Sequence, residues 1–313
     1  MRKTLLFTLL ASALAAAHAA DPARDRTIDA GDEDKTLSES WPVTPAARIE
    51  LDNVRGSVNV SGWDKPEVEL GGTLGNGSRL VVSGDNDHLS LRVQGSGQKW
   101  FGGNGPGSDS ELVLKIPHGA ALKLGVVSAD ATVSGIDGKS LEINGVSGSL
   151  TLSGDAPQID VNSVSGDVVF KAAHIPAGAR AHLQTVSGDI RAHGLGGRIK
   201  LETVSGEIGL DSGAAVDELE TGTVSGDTKL VIAPGAHARL ALTSMSGDIH
   251  VHLPATMGGH VEAKTFSGDI ASDFGKARTR EHGSGSTLDT HVGDGDGELK
   301  AESFSGDVEL RKQ

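Results

Sequence analysis

Apolar and polar residues alternate along most of the chain, and the phase of the alternation reverses at regular intervals. In RLALTSMSGDIHVHL (239–253), Leu240, Leu242 and Ser244 share one phase, whereas Met245, Gly247, Ile249, Val251 and Leu253 share the other. A period of two marks a strand. A reversal of phase marks a corner or bulge, because a one-residue slip turns every following side chain over. LETVSGEIGL (201–210) reverses at the same place. Between such strand pairs stand turns punctuated by Pro and Gly: IPHGA at 116–120, IPAGA at 175–179, IAPGA at 232–236 and the looser LPATMGG at 253–259. One unit therefore reads as strand, corner, strand, loop.

The corner carries a recurring sequence. TVSGDI at 185–190 returns as TVSGEI, TVSGDT, SMSGDI, TFSGDI and SFSGDV, and is preceded by GVSGSL and SVSGDV. The corner glycines are Gly148, Gly166, Gly188, Gly206, Gly226, Gly247, Gly268 and Gly306, at steps of 18, 22, 18, 20, 21, 21 and 38 residues. VSAD at 127–130 is a degenerate ninth copy, and the last, double step predicts a tenth between Ala271 and Leu299. Units this short cannot bury an apolar face alone, but stacked units can. The expected fold class is all-β, a parallel β-solenoid resembling a β-helix, with coils of about 20 residues. Nine coils at strand spacing would span roughly 43 Å. An antiparallel meander is the alternative, but near-identical units stack on themselves most simply when parallel.

Each corner residue has a structural reason to recur. Glycine permits a close backbone approach that a Cβ would forbid. Asp167, Asp189, Asp227, Asp248, Asp269 and Asp307, with Glu207 in the same column, can bond neighbouring backbone groups. The hydroxyls of Ser163, Thr185, Thr203, Thr223, Ser244, Thr265 and Ser303 would form a ladder in the stack. The 20-residue rhythm is missing before residue 118. The expected organisation is a signal peptide at 1–20, a flexible lead-in at 21–40, an N-terminal β cap region at 41–117 and the solenoid at 118–313.

Composition changes the picture in three ways. Arg2 and Lys3, the apolar run TLLFTLLASALAAA and Ala17-His18-Ala19 together have the form of a cleaved secretory signal. The run is shorter than the roughly 20 apolar residues of a membrane span. The mature chain is expected to be periplasmic, secreted or at the cell surface, with no transmembrane anchor after cleavage. It has no cysteine, so neither disulfides nor a lipidated cysteine is available. Removing the two basic signal residues leaves 28 − 2 = 26 Lys and Arg against 42 Asp and Glu, a net charge of −16. That balance argues against nucleic acid as a partner and against adsorption to anionic lipid.

NVRGSVNVSGWDKPEVEL (53–70), the IPxGA turns and the serial TVSGDI strands resemble the bacterial β-strand-repeat proteins called the "putative adhesin" family, whose function is unknown. The resemblance extends over roughly 47–310. It implies an exported or envelope-associated β-solenoid of a group linked to envelope-stress systems, and it brings no catalytic residues.

Four chemistries can be set against that reading. The acidic column could hold calcium, an oxygen-seeking cation, although Ser149 and Glu207 interrupt it and the spacing differs from calcium-binding β-rolls. His250 and His252 share one strand face and, with Asp273 expected on the next coil, form a candidate metal site; His193 is expected beside Asp211. No GxSxG, HExxH or cysteine nucleophile is present. Trp41, Trp63 and the Trp100–Phe101 pair could stack on sugars. No cofactor is expected, and no enzymatic activity. The expected function is a non-catalytic envelope scaffold or adhesin-like surface with an envelope component or a protein as partner. The alternatives are a polysaccharide-binding or polysaccharide-cleaving β-helix protein and a calcium-stabilised repeat module.

Overall fold

The computed structural model describes residues 25–95, 107–279 and 285–313. The signal segment and the Trp100–Phe101 pair lie outside the described residues. The described chain is all-β, with 26 strands and no helix. It is a parallel stack of two-stranded coils, and the physical unit is clearest in the middle. Gly197–Ser205 turns Ile199, Leu201 and Thr203 inward, the chain bends at Gly206, and Ile208–Asp211 turns Ile208 and Leu210 inward from the opposite side. Each coil thus contributes about five small side chains to a core only two layers thick. A core so thin is filled by Val, Leu, Ile and Ala, and needs few aromatics.

Successive coils pair in parallel and in register at the corner: Thr185 lies opposite Thr203, and Ser187 opposite Ser205. On the second face Ile190 lies opposite Ile208 and His193 opposite Asp211. The uneven steps of 18 to 22 residues are absorbed in the loops that lead to the next coil. Three of those loops close as β-turns, with the Ala120, Ala179 and Met257 amides donating to the Pro117, Pro176 and Pro254 carbonyls. IAPGA departs from the expectation of a turn, because Pro234 and Gly235 begin the strand Pro234–Ser246.

The two ends of the stack do not follow chain order. Arg48–Trp63 lies between Ala121–Ser134 on one side and the coil formed by His88–Gly95 and Ser110–Pro117 on the other. At the far end, Gly297–Ser305 and Val308–Lys312 lie between Pro234–Leu253 and the coil Gly259–Ser272. Eleven parallel coils result, which at strand spacing span roughly 53 Å. Antiparallel strands close both ends. Ser78–Gly84 and then Arg26–Asp29 cover one sheet, and Glu67–Leu74 and then Lys35–Pro42 cover the other. Ser286–Val292 covers Gly259–Ser267 at the far end.

Three expectations are corrected. The stretch 25–40 is not a flexible lead-in, because Leu37 and Trp41 share a strand face and are buried against the first sheet. The boundary at 117/118 dissolves, because 48–63 and 88–117 supply coils of the stack itself; NVRGSV (53–58) is a corner with Arg55 in place of Ser. Among the described residues between Ala271 and Leu299 no tenth copy is found. The double step arises because the chain leaves the stack, makes the antiparallel strand Ser286–Val292 and re-enters one coil earlier.

Candidate functional site

The corner places three columns side by side along the stack. The innermost is hydroxylic. Ser163, Thr185, Thr203, Thr223, Ser244, Thr265 and Ser303 are all buried. They stack opposite one another from Thr185 to Thr265 as expected of a ladder, but the bonds they make go to backbone carbonyls. Thr203 donates to the Gly188 carbonyl of the preceding coil (3.3 Å), and Thr265 to that of Gly306 (3.0 Å). The Ser163, Thr223 and Ser244 hydroxyls make no hydrogen bond. The corner glycines lie against each other: a Cβ on Gly226 would stand 2.6 Å from the Gly206 carbonyl carbon, and one on Gly306 2.7 Å from that of Gly247. This is the close approach that fixes glycine at Gly148, Gly166, Gly188, Gly206, Gly226, Gly247, Gly268 and Gly306.

The acidic column is bonded to the backbone. The Asp189 amide donates to Asp167 Oδ1 (3.0 Å), the Glu207 amide to Asp189 (2.9 Å) and the Asp248 amide to Asp227 (3.1 Å). The chain of bonds continues from Asp248 to the Asp307 amide and from Asp307 to the Asp269 amide, both 2.8 Å, following the spatial order of the coils rather than the sequence. Repulsion along the column is relieved by side chains two residues on: Arg191 reaches Asp189 (2.7 Å) and Lys229 reaches Glu207 (3.3 Å).

The histidine site does not assemble. His252 lies opposite Arg311, not Asp273, because the inserted strand Val308–Lys312 occupies the next position. Asp273 lies one coil further and accepts the Lys312 amide and the Arg311 guanidinium; those bonds hold its carboxyl below the ordinary range. His250 Nδ1 sits 2.8 Å from Glu309, whose carboxyl is held low by Arg311 and then by His250. His193 and Asp211 do meet, at 3.9 Å on the surface. Among the described residues no group of three or more His, Asp or Glu could hold a metal ion. Trp41 is buried, and Trp63 donates to the Glu67 carbonyl with the Lys65 and Lys115 ammoniums over its ring.

The outermost column was missed by the alternation argument. Met245 shares its phase with Ile249 and Val251, yet it points into solvent. So does its counterpart in every coil with a described corner. Val54, Val127, Val146, Val164, Val186, Val204, Val224, Met245, Phe304 and Phe266, in spatial order, are each 39–59 % exposed. They form one ridge along the corner, and the Phe304 and Phe266 rings stack at 4.8 Å. The available signal was a large apolar residue two places before each corner glycine, where a turn tolerates any polar residue. Ordinary surfaces carry isolated apolar residues; a row of them along one edge is a candidate interaction surface.

A second feature lies on the face of the longer strands. A concavity of about 330 Å³ is lined by Gln158, Asp160, Arg180, His182, Arg198, Lys200, Glu218 and Glu220 over Ile159, Ala181 and Ile199. Arg180 and Arg198 are opposite one another on adjacent coils.

The sequence matches the family model described as Toastrack DUF4097 over residues 46–311. The chain belongs to the Toastrack family. Solved structures with related folds include a "putative lipid binding protein" from Parabacteroides distasonis (14% identity over 90% of this chain and 98% of that one, TM-score 0.50). Others are a "putative adhesin" from Bacteroides fragilis (12%, 90% and 99%, TM-score 0.39) and a "putative cell adhesion protein" from Clostridium sporogenes (11%, 89% and 100%, TM-score 0.28). No curated protein matches the chain. For this Toastrack chain the Parabacteroides distasonis structure supports the fold, and none is close enough to carry a residue's role.

Proposed function

We propose that this protein is a non-catalytic scaffold of the bacterial cell envelope, exported by its N-terminal signal, whose working surface is the apolar ridge. The observation that carries the reading is the ridge itself: ten coils expose a Val, Met or Phe at one position. Burial of such side chains against a partner is the dominant source of association free energy. The rest of the corner serves the stack. Its glycines, its aspartates and the Thr185, Thr203, Thr265 and Ser303 hydroxyls are engaged in backbone contacts. The names of the structural neighbours, an adhesin, a cell adhesion protein and a lipid binding protein, are in keeping with a binding role.

The test is co-sedimentation of the purified mature chain with Gram-negative envelopes at low and high salt. Pelleting that resists salt, and that is lost in a Met245→Ser, Phe266→Ser, Phe304→Ser variant, is the expected result. A wild-type chain that stays in the supernatant at both salts overturns the envelope reading.

The concavity favours a second reading, binding of an acidic saccharide. Arg180 and Arg198 could take a carboxylate, and Asp160, Glu218 and Glu220 could accept sugar hydroxyls. Titration with a uronate oligomer, followed by calorimetry, separates the two: heat that disappears in Arg180→Ala, Arg198→Ala supports the saccharide site.

A further inference from the structure

If the ridge is the working surface, as proposed above, its geometry states what covers it. Its side chains repeat at the coil spacing, roughly 4.8 Å. A helix presents one face about every 5.4 Å, and so runs half a step out of register after about four rungs. A second row with the same repeat stays matched from end to end. Such a row exists on every copy of this chain.

The ridge is also graded. It starts with seven valines and ends with Met245, Phe304 and Phe266. Two copies aligned in the same direction would set phenylalanine on phenylalanine and leave the valine halves apart. In opposite directions, Val54 faces Phe266, Val127 faces Phe304 and Val146 faces Met245, with valine on valine at the Val164–Val224 and Val186–Val204 rungs, so no rung sets two long side chains against each other. At about half of the roughly 150–250 Å² of an aromatic side chain for each phenylalanine, and less for each valine, the row supplies the apolar core of an interface whose standard size is about 800 Å² per partner. Beside the ridge runs a register of exposed serines, with Ser187 opposite Ser205 and Ser205 opposite Ser225, interrupted by Arg55 at the Val54 end, so contact along the serines themselves buries no charge.

We propose that, away from an envelope partner, the ridge is covered by a second copy of this chain, the two solenoids running antiparallel about a two-fold axis between the Val186 and Val204 rungs, so that self-pairing and envelope binding compete for it. An isologous contact of this kind closes on itself and gives a dimer rather than a fibre. Each mature chain carries a net charge of −16, from 28 − 2 = 26 basic and 42 acidic residues, so pairing tightens as salt screens the repulsion.

The test uses the mature chain in sedimentation equilibrium and in cysteine cross-linking, which the cysteine-free sequence makes clean. The expected result is a dimer whose dissociation constant rises about a hundredfold in the Met245→Ser, Phe266→Ser, Phe304→Ser variant. All three side chains are exposed, so its thermal melt by circular dichroism should match the parent's. A Val54→Cys chain mixed with a Phe266→Cys chain should yield a mixed disulfide, and neither should link to itself. Self-linking at both ends overturns the antiparallel arrangement. A chain that stays monomeric at high salt and sub-millimolar concentration overturns the dimer. A monomer that still pellets with envelopes through the ridge leaves the scaffold reading standing, whereas a dimer that never pellets sinks that reading alone.

Discussion

The corner glycines make the sharpest stability prediction, and Gly226→Ala is the case to develop. Gly226 has φ of 153°, and an added Cβ would stand 2.6 Å from the Gly206 carbonyl carbon, closer still to its oxygen and 3.3 Å from its nitrogen. All three are backbone atoms, so no side chain can swing away. Relief requires the two coils to part locally. The bonds at risk are those from the Gly206 amide to Ser225 (3.1 Å) and from the Gly226 amide to Ser246 (3.2 Å). Two backbone bonds at about 1 kcal/mol each and about 1–2 kcal/mol of conformational strain give a loss of about 3–4 kcal/mol. Gly209→Ala is the control. Gly209 lies in a strand between two such corners, and its nearest neighbour to a new Cβ is 3.8 Å away. There the change should be neutral or stabilise by up to about 1 kcal/mol, through the unfolded chain. Urea unfolding followed by far-ultraviolet circular dichroism reads both, with the midpoint as the primary quantity because stacked repeats can unfold in stages. A Gly226→Ala protein within about 1 kcal/mol of Gly209→Ala would refute the close-approach account of the motif.

Three further outcomes follow from the same columns. Thr228 takes an inward position between Ile208 and Ile249, and its buried hydroxyl makes no hydrogen bond; Thr228→Val should raise stability by about 1 kcal/mol, and a lower melting temperature would count against the assignment of that hydroxyl as unsatisfied. Glu207 is the one acidic corner residue between Asp189 and Asp227, and Glu207→Asp should extend the carboxylate-to-amide chain toward the Asp227 amide, raising the urea midpoint; no change would mean that the column contributes nothing net. His260 is bonded to Asp289 on the covering strand (2.9 Å), which raises its pKa above the ordinary 6.5. A raised pKa in the folded state contributes stability that is complete below 6.5 and lost as pH rises through the folded value. Amide exchange in 286–292 should therefore quicken with pH beyond its intrinsic dependence, and a His260→Gln chain should lack that extra increment.

Much of the stack was legible because its causes are local and repeated. The period of two, the phase reversal and the glycine at each reversal all express one steric event, a bend where carbonyls of adjacent coils nearly touch. The inward hydroxyls were legible for the same reason. The exposed ridge was not, since alternation assumes a flat strand: the bend between Ser244 and Ile249 turns Met245 outward while its phase still matches Val251. The order of coils at the ends was not legible either. SFSGDV and TFSGDI are nearly the same string, so nothing in them says which lies beside SMSGDI. That choice is made by the antiparallel strand Ser286–Val292, which takes the outer edge of Gly259–Ser267 and leaves only the inner one for Gly297–Ser305. The histidine pair failed with it: placing Asp273 beside His252 assumed stacking in chain order.

The inserted last coil bears on how the molecule would respond to tension. In a simple solenoid the terminal strand has one hydrogen-bonded neighbour, and a pull on the chain end opens those bonds one after another, like a zip. Here Gly297–Ser305 and Val308–Lys312 are held on both sides, by Pro234–Leu253 and by Gly259–Ser272. A force drawn along the strand at its carboxyl end has to slide it out between two neighbours, loading both rows of bonds together. The end of the chain is thus its grip: a load applied there is shared by three coils before any of them gives way.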